Sequence, residues 1–401
     1  MNGARTRGQA TALGAVAAMI RGPAPHAVLL VGPDGVGKTT LAVDLAAGLL
    51  CTADASDRPC RACRACRLVD GGGHPDLHRL GPAGPGRQVV IGGPDARYRG
   101  VRDLISELAL MAAEGGARVA IVEGADRMNE DAQAALLKTL EEPPGGVTIV
   151  LCADQEDRLL PTVRSRCFRV RLGLVGPRDI EAIVADHGLA DPPTAARLGR
   201  LAGGRPGLAL AYARAPDAVL IRAELTRVLL DLTDARPSER LAAVRAAIPR
   251  AIALTAALAA ADPATASARP TRRRGVATST PVAPAPSVEG SDEDATVDAE
   301  EGAPARTLPA SERRRAVEVL LGLWADVARD LVLVGSGGAR SVHDTVLLDE
   351  LTAIATTVEP LAATRFLERS ARSVELLAAN VSPELLLDAL ALAWPHRAVA
   401  A

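Results

Sequence analysis

Apolar positions along this chain fall into two regimes. Up to about residue 172, short wholly apolar runs alternate with stretches of helical period. The runs at 27–31, 119–122 and 147–152 predict buried parallel strands, since a strand covered on both faces needs no polar alternation, and residues 168–172 predict a last strand. Between them, residues 10–20, 41–50, 101–113 and 130–142 carry helical patterning. Asn129 stands as the N-cap of the last of these, with Glu130 and Asp131 in its first turn and Pro143-Pro144 as its stop. A short strand is expected at 89–91, within a Gly/Pro-rich stretch (71–100) that otherwise reads as loop. Strands alternating with helices predict an α/β fold, a doubly wound parallel sheet. From Gly176 onward only helical patterning remains: short helices at 179–187, 194–202 and 207–215, longer ones at 217–232 and 238–261, then 311–334, 342–358, 361–379 and 383–394. Residues 263–309 interrupt this series. They are rich in Pro, Ala, Ser and Thr, with a basic cluster (Arg272 to Arg274) followed by an acidic run, and predict a disordered linker. The expected organisation is therefore a nucleotide-binding domain (1–173), a small helical lid (174–215), and an all-α domain (216–262 with 310–401) split by the linker.

The chemistry begins directly after the first strand. Gly32-Pro33-Asp34-Gly35-Val36-Gly37-Lys38-Thr39-Thr40 joins a strand to a helix, the setting of a phosphate-binding P-loop. Gly32, Gly35 and Gly37 let backbone amides approach an anion, and the helix dipole favours negative charge there. Lys38 would reach the β- and γ-phosphates, and Thr39, followed by Thr40, would hold Mg²⁺. The pattern implies a nucleoside triphosphate without implying hydrolysis. After the strand at 119–122, Glu123 falls where such proteins hold Mg²⁺, although it could equally cap the strand. Gly124 occupies the next position, where a water-activating glutamate would stand, and Asp126 comes two residues too late.

Composition changes the picture in three places. The net charge of −2 excludes a global basic field for nucleic acid. Of 46 basic side chains only Lys38 and Lys138 are lysines, so the P-loop retains an ammonium where arginine has replaced nearly all others. Cys51, Cys60, Cys63 and Cys66, spaced Cys-x8-Cys-x2-Cys-x2-Cys, predict a closed tetrahedral zinc site; free or redox-active thiols are the alternative. Arg58, Arg61, Arg64 and Arg67 are expected to lower the thiol pKa values, while His74 and His78 read as loop residues able to substitute as ligands. Arg5 and Arg7 before the apolar residues 10–20 superficially resemble a signal peptide. However, Arg21 ends that run without a small-residue cleavage site, and an amphipathic helix is predicted. No charge-free apolar run reaches bilayer length. A reduced, cytoplasmic setting and no membrane partner are expected.

These motifs occur in a particular order. The P-loop, the four-cysteine insert, Leu136-Leu137-Lys138-Thr139-Leu140-Glu141-Glu142-Pro143-Pro144 and Ser165-Arg166-Cys167 together resemble the bacterial clamp-loader subunits of the DNA polymerase III holoenzyme, over about residues 5 to 210. That resemblance implies an AAA+ domain with a lid and a helical collar, structural zinc, and ATP/Mg as a possible ligand. It implies gamma/tau motor subunits and a delta subunit as partners, with the sliding clamp and primed DNA reached through the complex. Gly124, Pro206 in the place of the lid arginine (Arg205 one residue early), and Ala153 with Asp154 at the polar sensor depart from the motor pattern and point to the delta-prime branch. The resemblance further implies that Arg166 acts in trans, as a catalytic arginine finger in a neighbour's site. The alternatives are an active motor ATPase of the same family, and a P-loop kinase or nucleotide hydrolase of another class.

Overall fold

The computed structural model describes residues 3–84, 87–94, 96–114, 116–261, 310–378 and 381–397; the expected linker lies outside them. Five parallel strands form one sheet: β1 (Ala27–Val31), β2 (Leu77–Leu80), β3 (Arg118–Val122), β4 (Val147–Ala153) and β5 (Phe168–Arg171). Their order is β2-β3-β4-β1-β5. Successive side chains point to opposite faces. Val28 and Leu30, with Val119 and Ile121, pack against α1 (Ala10–Arg21), α2 (Lys38–Leu50) and α3 (Arg64–Asp70). Leu29, Ala120 and Val122 face α4 (Val101–Leu108), α5 (Glu130–Glu141) and α6 (Pro161–Arg164). The register sets Val31 beside Ala153, and Leu151 beside Val122. The strand ends that carry chemistry therefore emerge along one edge of the sheet, where ligands of open α/β sheets bind.

Helices α7 (Pro177–Asp186), α8 (Pro192–Leu201) and α9 (Pro206–Arg214) close a small core of Val175, Ile180, Val184, Ala195, Ala202 and Ala209. The other face of α8 and α9, through Leu198, Leu201 and Tyr212, joins a larger helical core. That core is built by α10 (Pro216–Asp231), α11 (Pro237–Ala261), α12 (Ala310–Gly335), α13 (Leu348–Ala355), α14 (Pro360–Ala378) and α15 (Pro383–Ala393). Trp324, Phe366 and Trp394 meet at its centre; Phe366 and Trp394 lie edge to face at 4.8 Å. α11 is long and apolar enough to cross a membrane by composition, but it carries Arg240, Arg245 and Arg250 and buries Val244, Ala251 and Leu254 in this core.

Four expectations need correction. Residues 89–91 form no strand; Val89 makes a single bridge to Met128. The strand of this region is β2, whose Leu-His-Arg-Leu sequence buries only its two leucines fully, because it lies at the sheet edge. α3 was hidden in the cysteine segment; Cys63 caps it, accepting from the Cys66 amide. α4 ends at Leu108, five residues early, because the buried Arg118 guanidinium takes the Leu108 and Leu110 carbonyls that a longer helix would use. The stretch 342–358 is broken as well, with two single 3₁₀ turns before α13.

Candidate nucleotide site and metal centre

Residues 32–37 leave β1 and turn through two left-handed glycines, Gly35 (φ 76°) and Gly37 (φ 102°). At Gly32 a Cβ would sit 2.4 Å from the Leu172 carbonyl oxygen, so only glycine fits between β1 and β5. Gly37 caps α2 with no side-chain hydrogen bond, which leaves the first-turn amides for a ligand. The loop thus fits a phosphate group. Thr39 is half-buried and Thr40 exposed at this helix start.

Lys38 is already engaged. Its ammonium donates to the Gly32 and Pro33 carbonyls at 2.8 and 2.7 Å and pairs with Asp154 at 2.7 Å. Asp154 follows β4, the strand between β1 and β3, and stands beside Ala153 near the expected sensor position. Its amide donates to Asp126, whose carboxyl is pushed up by burial and then by the Asp154 charge. Glu123, one strand further over, is held by Arg79 of β2 at 2.6 Å. The sequence reading missed this partner, since β2 had been taken for loop. Between these groups lies Cys152, its thiol pushed up to about 12 by burial. Gly124 adopts φ 61°, and a Cβ there would touch Pro82 and Arg127 at 3.1 and 3.3 Å. The position of the water-activating acid is therefore a left-handed turn into Ala125–Arg127.

The lid closes on the loop: the Gly207 amide donates to the Gly35 carbonyl at 2.8 Å. Pro206 is buried at the start of α9, and Arg205 turns back to the Ala202 carbonyl.

The four cysteine sulfurs all lie within 4.8 Å of one another, with Cys51 3.5 Å from Cys60 and 3.9 Å from Cys63. Tetrahedral zinc at about 2.3 Å from each thiolate requires sulfurs about 3.8 Å apart, so the donor set fits. Burial opposes ionisation of Cys63, but the amides of Cys66 and Thr52 outweigh it and bring the thiol down to about 6. Cys60 is lowered first by the Cys63 amide, whereas burial raises Cys66. Backbone amides, not the expected arginines, supply the lowering. Arg58 binds the Ala53 carbonyl, Arg61 pairs with Asp44 and Asp70, Arg64 with Glu114, and Arg67 binds the Ala62 carbonyl. His74 and His78 stand outside the cluster; His78 pairs with Glu107.

Asp44 was not singled out from the sequence. Fully buried on α2, it accepts from the Arg5 and Thr6 amides, the Thr6 hydroxyl and Arg61. The cysteine loop, the N-terminal segment and the P-loop helix thereby share one carboxylate. Gln9 completes the strap, exchanging two hydrogen bonds with the Gly173 backbone at 2.6 and 3.2 Å.

Ser165, Arg166 and Cys167 all turn back on α6: their side chains donate to the carbonyls of Thr162, Thr162 and Val163. The remaining edge of the Arg166 guanidinium pairs with Glu141 at 2.7 Å. Two sequence motifs with no evident link thus meet in space. Asp157, nearer in sequence, pairs with Arg164 at 3.2 Å. Arg166 keeps 34% of its side chain exposed.

A five-stranded parallel sheet in this order, with a P-loop after the interior strand β1 and a helical lid hydrogen-bonded to it, defines an α/β P-loop protein of the AAA+ class. Residues 12–175 match the family described as DNA polymerase III, delta subunit. DNA polymerase III subunit delta' of Pseudomonas aeruginosa is 39% identical over 183 residues, 45% of this chain and 53% of that protein. The same subunit of Escherichia coli is 36% identical over 200 residues, 49% of this chain and 57% of that one. Subunit tau of Escherichia coli is 30% identical over 177 residues, 43% of this chain and 26% of tau. Over this N-terminal region the chain is similar to the delta-prime subunits of DNA polymerase III. The match spans about half the length of these delta-prime relatives.

Proposed function

We propose that this chain serves as the delta-prime subunit of a cytoplasmic DNA polymerase III clamp loader. In this role it assembles with gamma/tau motor subunits and a delta subunit and helps place the sliding clamp on primed DNA. It hydrolyses little itself. The observation that carries this reading is Gly124: a left-handed glycine, crowded by Pro82 and Arg127, stands where a motor subunit needs an acid. The active-motor alternative fails on the same residue. A kinase would need an acceptor pocket and gives no role to the Arg166–Glu141 contact.

Within this reading, Gly32, Gly35, Gly37, Lys38, Thr39 and Thr40 hold ATP/Mg weakly to moderately, and Glu123 contributes to Mg²⁺ only when released from Arg79. Cys51, Cys60, Cys63 and Cys66 hold structural zinc. Residues 174–215 act as lid, and the helices on either side of 263–309 as one collar domain. Arg166 needs no phosphate of its own domain, since Lys38 serves there. It reaches a neighbour's nucleotide, where an arginine finger contributes about 10³–10⁵ in rate.

The test is co-purification from native cells with partners identified by mass, followed by Arg166→Ala in the reconstituted complex. Assembly and zinc content should hold. Clamp loading should slow sharply, and total ATP hydrolysis should fall in part, because one motor site of several is affected. Arg166→Lys should not rescue, lacking the planar fork. Wild-type loading by the alanine variant would remove the trans role.

A further inference from the structure

We infer that Asp154 is a built-in competitor for the nucleotide's phosphates: its carboxylate holds Lys38, and a nucleoside di- or triphosphate enters by displacing it. The inference rests on the reading that the P-loop takes nucleotide, and adds what sets its affinity.

An ammonium has three protons to donate. All three of Lys38 are placed on this chain's own oxygens: Gly32 O, Pro33 O and Asp154 Oδ1. The lysine side chain is only 8% exposed, so no further face is open to an anion. A phosphate oxygen must therefore take one of these three places. The two carbonyls belong to the loop itself and cannot withdraw without remaking it. Asp154 differs: its acceptor is a side chain on the turn after β4, 27% exposed, which can turn away without remaking the loop. A second partner waits for it, because Arg127 lies 4.0 Å from its other oxygen.

Charge argues the same way. A nucleotide brings several negative charges to a strand edge that already carries Asp126, Asp154 and Glu123. Glu123 is neutralised by Arg79, and Asp126 is buried and pushed toward its neutral form. Asp154 is thus the carboxylate that meets the incoming phosphates. When the binding-competent arrangement is a minor fraction of the population, apparent affinity falls by that fraction. The Lys38–Asp154 pair is a partly buried, charge-assisted hydrogen bond, of the kind that shifts such a population by on the order of tenfold. Asp154→Asn keeps the size but replaces the charged acceptor with a neutral one, which a phosphate displaces more readily.

The experiment titrates the full-length chain with a fluorescent ADP analogue, then with unlabelled ADP and a slowly hydrolysed ATP analogue, each with Mg²⁺. Wild type is compared with Asp154→Asn, Asp154→Ser, Lys38→Ala and the Asp154→Asn/Lys38→Ala double variant. Unfolding temperature and zinc content serve as folding checks, and the serine variant, too short to reach Lys38, substitutes if the asparagine one is unstable. Asp154→Asn and Asp154→Ser should bind on the order of tenfold tighter, and the double variant should lose the gain. Equal or weaker binding by both Asp154 variants overturns the inference, because Asp154 would then serve the nucleotide rather than exclude it. No binding by any variant at millimolar nucleotide overturns it as well, together with nucleotide binding by this P-loop. The assembly reading, tested by co-purification, is untouched by either result.

Discussion

Gly124 shows how one residue sets the limits of this site. Its φ of 61° is a conformation that costs a residue with a Cβ about 1 kcal/mol or more. Replacing it with glutamate supplies the missing acid in name only, since the new side chain must start against Pro82 and Arg127. Gly124→Glu is expected to lower stability by about 1–2 kcal/mol in chemical denaturation and to leave phosphate release by the isolated chain at background. Turnover of order 1 s⁻¹, at the low end for phosphoryl-transfer enzymes, would show that the turn adapts and that the acid alone was lacking. The pairs Arg79–Glu123 and Lys38–Asp154 belong to the same scale. Neither could be read from the chain, because each joins residues more than 40 positions apart.

At the scale of elements, the cysteine loop is more than a local staple. Arg61, within it, binds Asp44 on α2, and Asp44 also receives the N-terminal segment through Arg5 and Thr6. Metal loss should therefore be felt beyond the ligands. One zinc per chain is expected in purified, reduced protein, and far less would remove the metal assignment. Chelation should speed hydrogen exchange at residues 51–70 and 3–9 while β1, β3 and β4 stay protected, since the strands are buried in both sheet-face cores. Uniform exchange across the sheet would mean that the metal holds the whole domain.

The whole molecule is joined through its lid. Towards the sheet, the lid is tied by Gly207 to Gly35 and by Arg7 to Asp186. Towards the helical core, Arg222 of α10 is almost fully buried, pairs with Asp326 of α12 at 3.1 Å and lies near the buried Tyr212 of α9. Removing it leaves the Asp326 carboxylate without its cation. Arg222→Ala should cost about 3–5 kcal/mol and, because the pair braces α10 and α12 beside α9, split thermal unfolding into two transitions. A single transition at the wild-type temperature would show that the ion pair joins nothing the apolar core does not already hold.

The amino-acid sequence by itself determined what is local. Strands β1, β3 and β4 were legible because fully buried parallel strands are short unbroken apolar runs. The cap of α5 at Asn129, the P-loop glycines and the spacing of the four cysteines are local chemistry too, and the structure has each in its expected place. The clamp-loader resemblance rested on the order of such motifs and holds over residues 12–175. Only the tertiary structure decided which groups meet. β2 was illegible because an edge strand buries half its residues, α4 stopped early because Arg118 reached its carbonyls, and the arginines around the cysteines went to carboxylates and carbonyls. Arg166 found Glu141, and Lys38 found Asp154, for the same reason. An ion pair is chosen by distance in the folded chain, and that distance is set by sheet order and register, which no window of sequence contains.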